Sequence, residues 1–181
     1  YYKFATKLVP PDKKNARGDR DWDAVLRFQA EHDERNFWIV KICMFFRDRN
    51  ILILCKRVSQ TMTLYEMLKK EKESVDYTTG KKKTFDEDAR ILVSTYSKSG
   101  VGFDHPKLDM FIVASDVEEM FEQYFGRCVR REDVSPIIVD LVDDLKSLER
   151  HYSTRKQYAQ SVGGKIKDFR LAFPDFFKET E

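Results

Sequence analysis

The sequence predicts an α/β fold, a parallel sheet with helices on both faces. Between residues 51 and 162, short apolar runs alternate with amphipathic segments. The runs Ile51–Cys55, Ile91–Val93 and Met110–Ala114 hold nothing polar and are flanked by charge or loop residues, the pattern of strands buried on both faces. The chain has 181 residues, 41% hydrophobic and 35% charged, which suits one core under a heavily charged surface.

The elements follow in order. Tyr2–Val9 alternates, with Tyr2, Phe4, Thr6 and Leu8 on one face, and reads as a strand. Pro10, Pro11 and the charged run Asp12–Asp21 read as a loop. Trp22–His32 and Phe37–Phe46 carry apolar residues at helical spacing and predict two helices, with Asp33–Asn36 as a charged break. After the strand Ile51–Cys55, Ser59 is the expected cap of a helix in which Met62, Tyr65 and Leu68 share a face. Ser74–Thr78 is a weaker strand, and Thr79–Asp88 is polar and broken at Gly80. Ile91–Val93 is a strand, Tyr96–Leu108 a loop, Met110–Ala114 a strand and Val117–Val129 a helix. Ile137–Val142 is the next strand. A helix then runs from about Asp144 to Val162, closed by Gly163-Gly164 as a left-handed cap. The tail, Lys165–Glu181, is basic and then aromatic, and is expected to pack across the domain or a neighbour.

Composition excludes several classes. No window approaches the ~18 apolar residues of a membrane span, so no membrane-spanning helix is expected; an intracellular location is expected from the reduced-thiol reading of the cysteines. The net charge is only +2, so any case for nucleic acid must be local. Cys43, Cys55 and Cys128 stand far apart in apolar surroundings and read as buried, reduced thiols. The three histidines are scattered, so no metal site is expected. The chain begins with Tyr1 and reads as a piece of a longer protein. It divides into a lead-in (residues 1–49), a core (50–144) and a C-terminal helix with its aromatic tail (145–181).

In an open parallel sheet, ligands bind at the carboxyl ends of the strands. Asp116, as cap with Glu119, predicts the start of the most informative helix. Val117, Met120, Phe121, Tyr124 and Cys128 recur as its buried face, and Gln123, Arg127 and Arg130 form a second stripe at the core margin. Gly126, in mid-helix, suggests a close approach to the backbone. Two arginine forks with no acid at matching spacing suit an external anion, phosphate above all. Pairing with acids of another element is the alternative that spacing leaves open.

Gln123-Tyr124-Phe125-Gly126-Arg127-Cys128-Val129-Arg130 resembles motif VI (Q-x-x-G-R-x-x-R) of superfamily-two helicases. Ile91–Asp104, an apolar strand closed by Ser94-Thr95 and followed by Gly100, Gly102 and Asp104, resembles motif V. Asn50–Ser59, a buried strand followed by Lys56-Arg57, resembles motif IV. Their order along the chain matches that of the family. The resemblance implies a RecA-like helicase C-terminal domain. It implies Arg127 and Arg130 as arginine fingers toward ATP, and Gln123, Gly102 and Asp104 on the nucleotide side. Lys56, Arg57, Ser94 and Thr95 would contact a nucleic-acid backbone, and Gly80 sits where the family often has a glycine turn. Gln123-Tyr124 in place of His-Arg departs from the DEAD-box pattern, and the lead-in and tail resemble helicases of large DNA viruses and phages.

No G-x-x-x-x-G-K-[ST] loop and no strand ending in an acidic box occur in this sequence. The resemblance therefore implies that ATP with Mg²⁺ is held mainly by an N-terminal RecA-like domain of the parent chain, and that this piece alone is inactive. Nucleic acid is the expected partner, DNA ahead of RNA. The alternative is a RecA-like scaffold that binds nucleic acid or protein without using ATP.

Overall fold

The structure, a computed structural model, describes residues 1–96, 105–118, 121–128 and 131–178, without the side chains of Arg127 and Cys128. Its elements are β1 (Tyr2–Ala5), α1 (Trp22–Glu31), α2 (Asp33–Phe45), β2 (Ile51–Cys55), α3 (Val58–Lys70), β3 (Val75–Thr78), β4 (Ile91–Thr95), β5 (Met110–Val113), α4 (Phe121–Cys128), β6 (Ile137–Val142), α5 (Lys146–Ser161), β7 (Lys167–Asp168) and α6 (Phe169–Ala172), with a 3₁₀ turn at Pro174–Phe177.

Among the described residues the strands form one seven-stranded sheet in the order β3-β4-β2-β5-β6-β1-β7, and every pairing is parallel. The unbroken apolar runs fill both faces by simple alternation. Ile51, Ile53, Ile91, Val93, Met110 and Ile112 face one layer, where α2, α3 and the aromatic tail pack. Leu52, Leu54, Leu92, Phe111 and Val113 face the other, with α4 and α5. Each such fully buried side chain contributes roughly 1.5–3 kcal/mol. The tail packs across its own domain: Phe169 and Phe176 are buried against Phe4, at ring separations of 5.0 and 5.9 Å.

Helix ends differ from expectation in three places. Asp33–Asn36 is the first turn of α2, not a break; His32 Nδ1 accepts the Arg35 N–H at 3.3 Å, and Arg35 and Asn36 are buried. Arg57, not Ser59, precedes the first turn of α3, and the buried stripe there is Gln60, Thr61, Leu64 and Leu68 rather than Met62 and Tyr65. Asp116–Glu118 is not helical, so Asp116 does not cap α4. The close of α5 follows the expected form: Gly163 has φ +89°, and the Gly164 N–H donates to the Ala159 carbonyl at 2.8 Å.

Candidate functional site

The carboxyl ends of β2, β4 and β5 lie side by side. Register pairs Leu54 with Ser94, Cys55 with Thr95 and Leu54 with Val113. Two motif-bearing strand ends, Lys56-Arg57 and Ser94-Thr95, are therefore neighbours. Lys56 is exposed, and its N–H donates to Ser115 Oγ at 3.1 Å. Arg57 is half-buried and binds the carboxylate of Asp23 at the start of α1. That hydrogen bond holds the Asp23 carboxyl below the usual aspartate value. An exposed pair of this kind is screened by solvent and adds little to stability, so a phosphate can replace the carboxylate at little cost. Ser94 is buried, with its hydroxyl donating to the Thr95 carbonyl at 3.1 Å, while Thr95 is partly exposed. Gly80 lies in the exposed loop after β3, where an added Cβ would meet nothing within 4 Å. In that loop the Lys82 ammonium donates to the Asp76 carboxylate and to the carbonyls of Tyr77 and Thr84.

Gly102, Asp104 and Arg130 lie outside the described residues, and the side chain of Arg127 is not described. Gln123 is exposed on α4 rather than held at the core margin. Phe121, Tyr124 and Phe125 seat this helix on the sheet; Phe121 stacks on Phe111 at 6.1 Å, and Tyr124 meets Tyr96 edge-on at 5.3 Å. An added Cβ at Gly126 would meet nothing within 4 Å. No close backbone approach thus explains this glycine among the described residues.

The densest chemistry at this edge was not expected from sequence. The four residues Ala114–Val117, which lead from β5 toward α4, are bonded from four helices. Arg35 of α2 is fully buried; its Nη1 donates to the Ala114 carbonyl and its Nε to Asp143 at 3.0 Å. Ser115 Oγ donates to Gln60 Oε1 of α3 at 2.5 Å. The Asp116 N–H donates to Gln29 Oε1 of α1 at 2.9 Å. From α5, Arg155 donates to Asp116 Oδ1 at 2.9 Å and to the Val117 carbonyl at 2.7 Å, while forking onto Asp140 at 2.8 and 3.1 Å. His151 Nδ1 lies 2.5 Å from Asp116 Oδ2, and that bond raises the imidazole pKa. The signal in the sequence is Asp140 inside Ile137–Val142: a carboxylate in a buried strand demands a cation.

Cys43 and Cys55 are buried, and burial pushes both thiols up to about 12. Cys128 falls outside the described side chains. No group of His, Cys, Asp or Glu that could hold a metal occurs among the described residues, and no described helix is long and apolar enough to cross a membrane. At the opposite edge of the sheet, an open groove of about 690 Å³ is lined by residues including Tyr1, Tyr2, Arg49, Phe125 and Lys165.

The fold is RecA-like, a parallel sheet covered by helices on both faces, as in the C-terminal domains of solved helicases. It matches the crystal structure of T4 UvsW with a TM-score of 0.65 at 19% identity, over 92% of this chain and 40% of that one. It matches the C-terminal domain of the DEAD-box protein Dbp5 with a TM-score of 0.64 at 12% identity, over 92% and 87% of the two chains. No protein-family model matches the sequence. In sequence the chain is similar to viral proteins named as helicases and to a phage helicase. It is 36% identical to "Putative helicase 161L" of Invertebrate iridescent virus 6, over 94% of this chain and 43% of that protein. It is 32% identical to "Putative helicase 055L" of Frog virus 3, over 88% and 36% respectively. The ATP-dependent DNA helicase uvsW of phage T4 is 26% identical over 69% of this chain and 28% of its own length. The chain thus spans less than half the length of these helicase relatives.

Proposed function

We propose that residues 1–181 are the second motor domain of an ATP-dependent DNA helicase or translocase, with residues 50–144 as its motif-bearing core. The observation that carries the reading is the pairing of Cys55 with Thr95. It sets Lys56-Arg57 beside Ser94-Thr95 at the carboxyl edge of the sheet, as one track for a strand's phosphates. Lys56 is already exposed to such a strand, Arg57 exchanges Asp23 for phosphate, and Thr95 offers the more accessible of the two hydroxyls. Binding through these contacts is tolerant of sequence and sensitive to salt.

On this reading Arg127 and Arg130 reach the γ-phosphate of ATP held with Mg²⁺ by an N-terminal RecA-like domain, where two guanidiniums stabilise the charge that develops on the transferring phosphoryl group. Gln123, Gly102 and Asp104 serve the nucleotide side. ATP supplies the free energy, and the residues of this chain complete its site and grip the strand. Alone, the chain has no phosphate-loop lysine or acidic box, and it does not hydrolyse ATP.

The test is turnover in the longer parent with single-stranded DNA, duplex DNA and RNA compared. Loss of an arginine finger costs on the order of 10³–10⁵ in rate. Arg130→Ala should abolish strand-stimulated turnover and leave strand binding nearly intact. Wild-type turnover in Arg130→Ala would remove the finger role, and a parent without ATPase activity would leave a binding scaffold.

A further inference from the structure

Residues Asp12–Asp21 were expected to be a charged loop; they form an ordered hairpin. The Asn15 N–H donates to the Asp19 carbonyl at 2.7 Å, the Asp21 N–H to the Lys13 carbonyl at 2.8 Å, and Lys14 and Arg20 pair across it. Its tip is fixed by Gly18 at φ +84° and by Asn15 Oδ1, which accepts the N–H groups of Arg17 and Asp19 at 2.9 and 3.1 Å. The hairpin serves no core: residues 12–19 are all exposed, and Ala16 is the one apolar residue among them. An isolated two-stranded hairpin is marginal in water, so this one is held by its own turn chemistry rather than by burial.

Its charges are not balanced within it. Asp12 is engaged by Arg20 at 2.6 Å, and Asp21 caps α1 by accepting the Ala24 N–H at 3.1 Å. Lys13, Lys14 and Arg17 are exposed and make no ion pair among the described residues, with Asp19 the remaining acid beside them. The base of the hairpin is anchored at the carboxyl edge. The Asp144 N–H, just past β6, donates to the Leu8 carbonyl at 2.7 Å. Arg57, in the candidate track, binds Asp23 two residues beyond the hairpin's end. Arg20 lies over Trp22, whose ring stacks on His151 at 5.2 Å.

We infer that the hairpin is a second phosphate-binding element: Lys13, Lys14 and Arg17 extend the Lys56-Arg57 track along the nucleic-acid backbone. The inference rests on the strand-binding part of the proposed function. Three cations on a hydrogen-bonded turn meet a polyphosphate with less further ordering of the backbone than the same cations on an unbonded loop would need. The contacts are to backbone, so they add affinity without sequence preference.

The experiment uses the 181-residue chain and a fluorescein-labelled single-stranded 20-mer, read by anisotropy across a salt series. The triple variant Lys13→Ala/Lys14→Ala/Arg17→Ala should bind at least about tenfold more weakly. Its log–log salt slope should be shallower by about two, three phosphate contacts at roughly 0.7 each. Its melting curve should match the wild type, because the hairpin buries nothing. If the triple variant keeps wild-type affinity and slope while Lys56→Ala/Arg57→Ala loses binding, the hairpin inference is overturned and the proposed track stands. If the wild-type chain binds no strand at all, both are overturned.

Discussion

Arg155 gives the sharpest test of how this edge is held. Its guanidinium is 3% exposed, forks onto Asp140 and also reaches Asp116 and the Val117 carbonyl. Arg155→Ala leaves Asp140, itself fully buried, with the Tyr1 hydroxyl as its remaining side-chain partner, and Asp116 with His151. Removing one member of a buried ion pair costs about 3–5 kcal/mol, since the other charge stays buried. That is a large part of the roughly 5–15 kcal/mol that holds a domain of this kind folded. At about 2–4 °C per kcal/mol for a chain of this size, the melting temperature should fall by roughly 6–20 °C. Arg155→Lys keeps the charge but loses the fork, and should fall between. Arg150→Ala, an exposed position five residues earlier on α5, should stay within about 0.5 kcal/mol of wild type. Urea unfolding followed by circular dichroism and by the fluorescence of Trp22, which stacks on His151 beside this cluster, reads all three. An Arg155→Ala variant within about 1 kcal/mol of wild type, at an unchanged denaturant slope, would refute the reasoning.

Two further expectations come from the same region and from the end of α5. His151 has its pKa raised chiefly by the hydrogen bond to Asp116. The bond's stabilisation is therefore fully present below the unfolded value of about 6.5 and is lost as pH rises through the folded value. Unfolding measured from pH 5.5 to 9 should show a loss of stability in the wild type that His151→Gln lacks; parallel curves would remove the role. At Gly164, an added Cβ would lie 2.7 Å from the Ala159 carbonyl oxygen, a backbone atom that cannot swing away. Gly164→Ala should cost about 1–3 kcal/mol, and an unchanged urea midpoint would contradict it.

The strands were legible because their signal is local. Ile51–Cys55 and Met110–Val113 are apolar without interruption, and only a doubly covered strand tolerates that. The polar scaffold was hidden because its partners are distant in sequence. Arg35 reads as part of a charged break, yet it is drawn into the core by Asp143, 108 residues away. Asp116 with Glu119 has the spacing of a capping box, but its carboxylate is taken by Arg155 and His151 from α5. Lys56, Arg57, Ser94 and Thr95 are candidates through motif order alone. The burial of Ser94 and the engagement of Arg57 by Asp23 depend on packing that no spacing encodes.

Apolar packing around the end of β5 would stabilise the fold about as well as these ions do, because desolvating two charges consumes much of their attraction. What the ions add is direction. The Ala114 and Val117 carbonyls, the Ser115 hydroxyl and the Asp116 N–H each meet a named partner on a different helix. A shift of one residue would leave several of these buried groups unbonded, at about 1–3 kcal/mol each. The stretch Ala114–Val117 therefore has one register at this edge. Arg35 contacts no residue of α4 among the described hydrogen bonds, yet it fixes the Ala114 carbonyl from which the path to that helix begins.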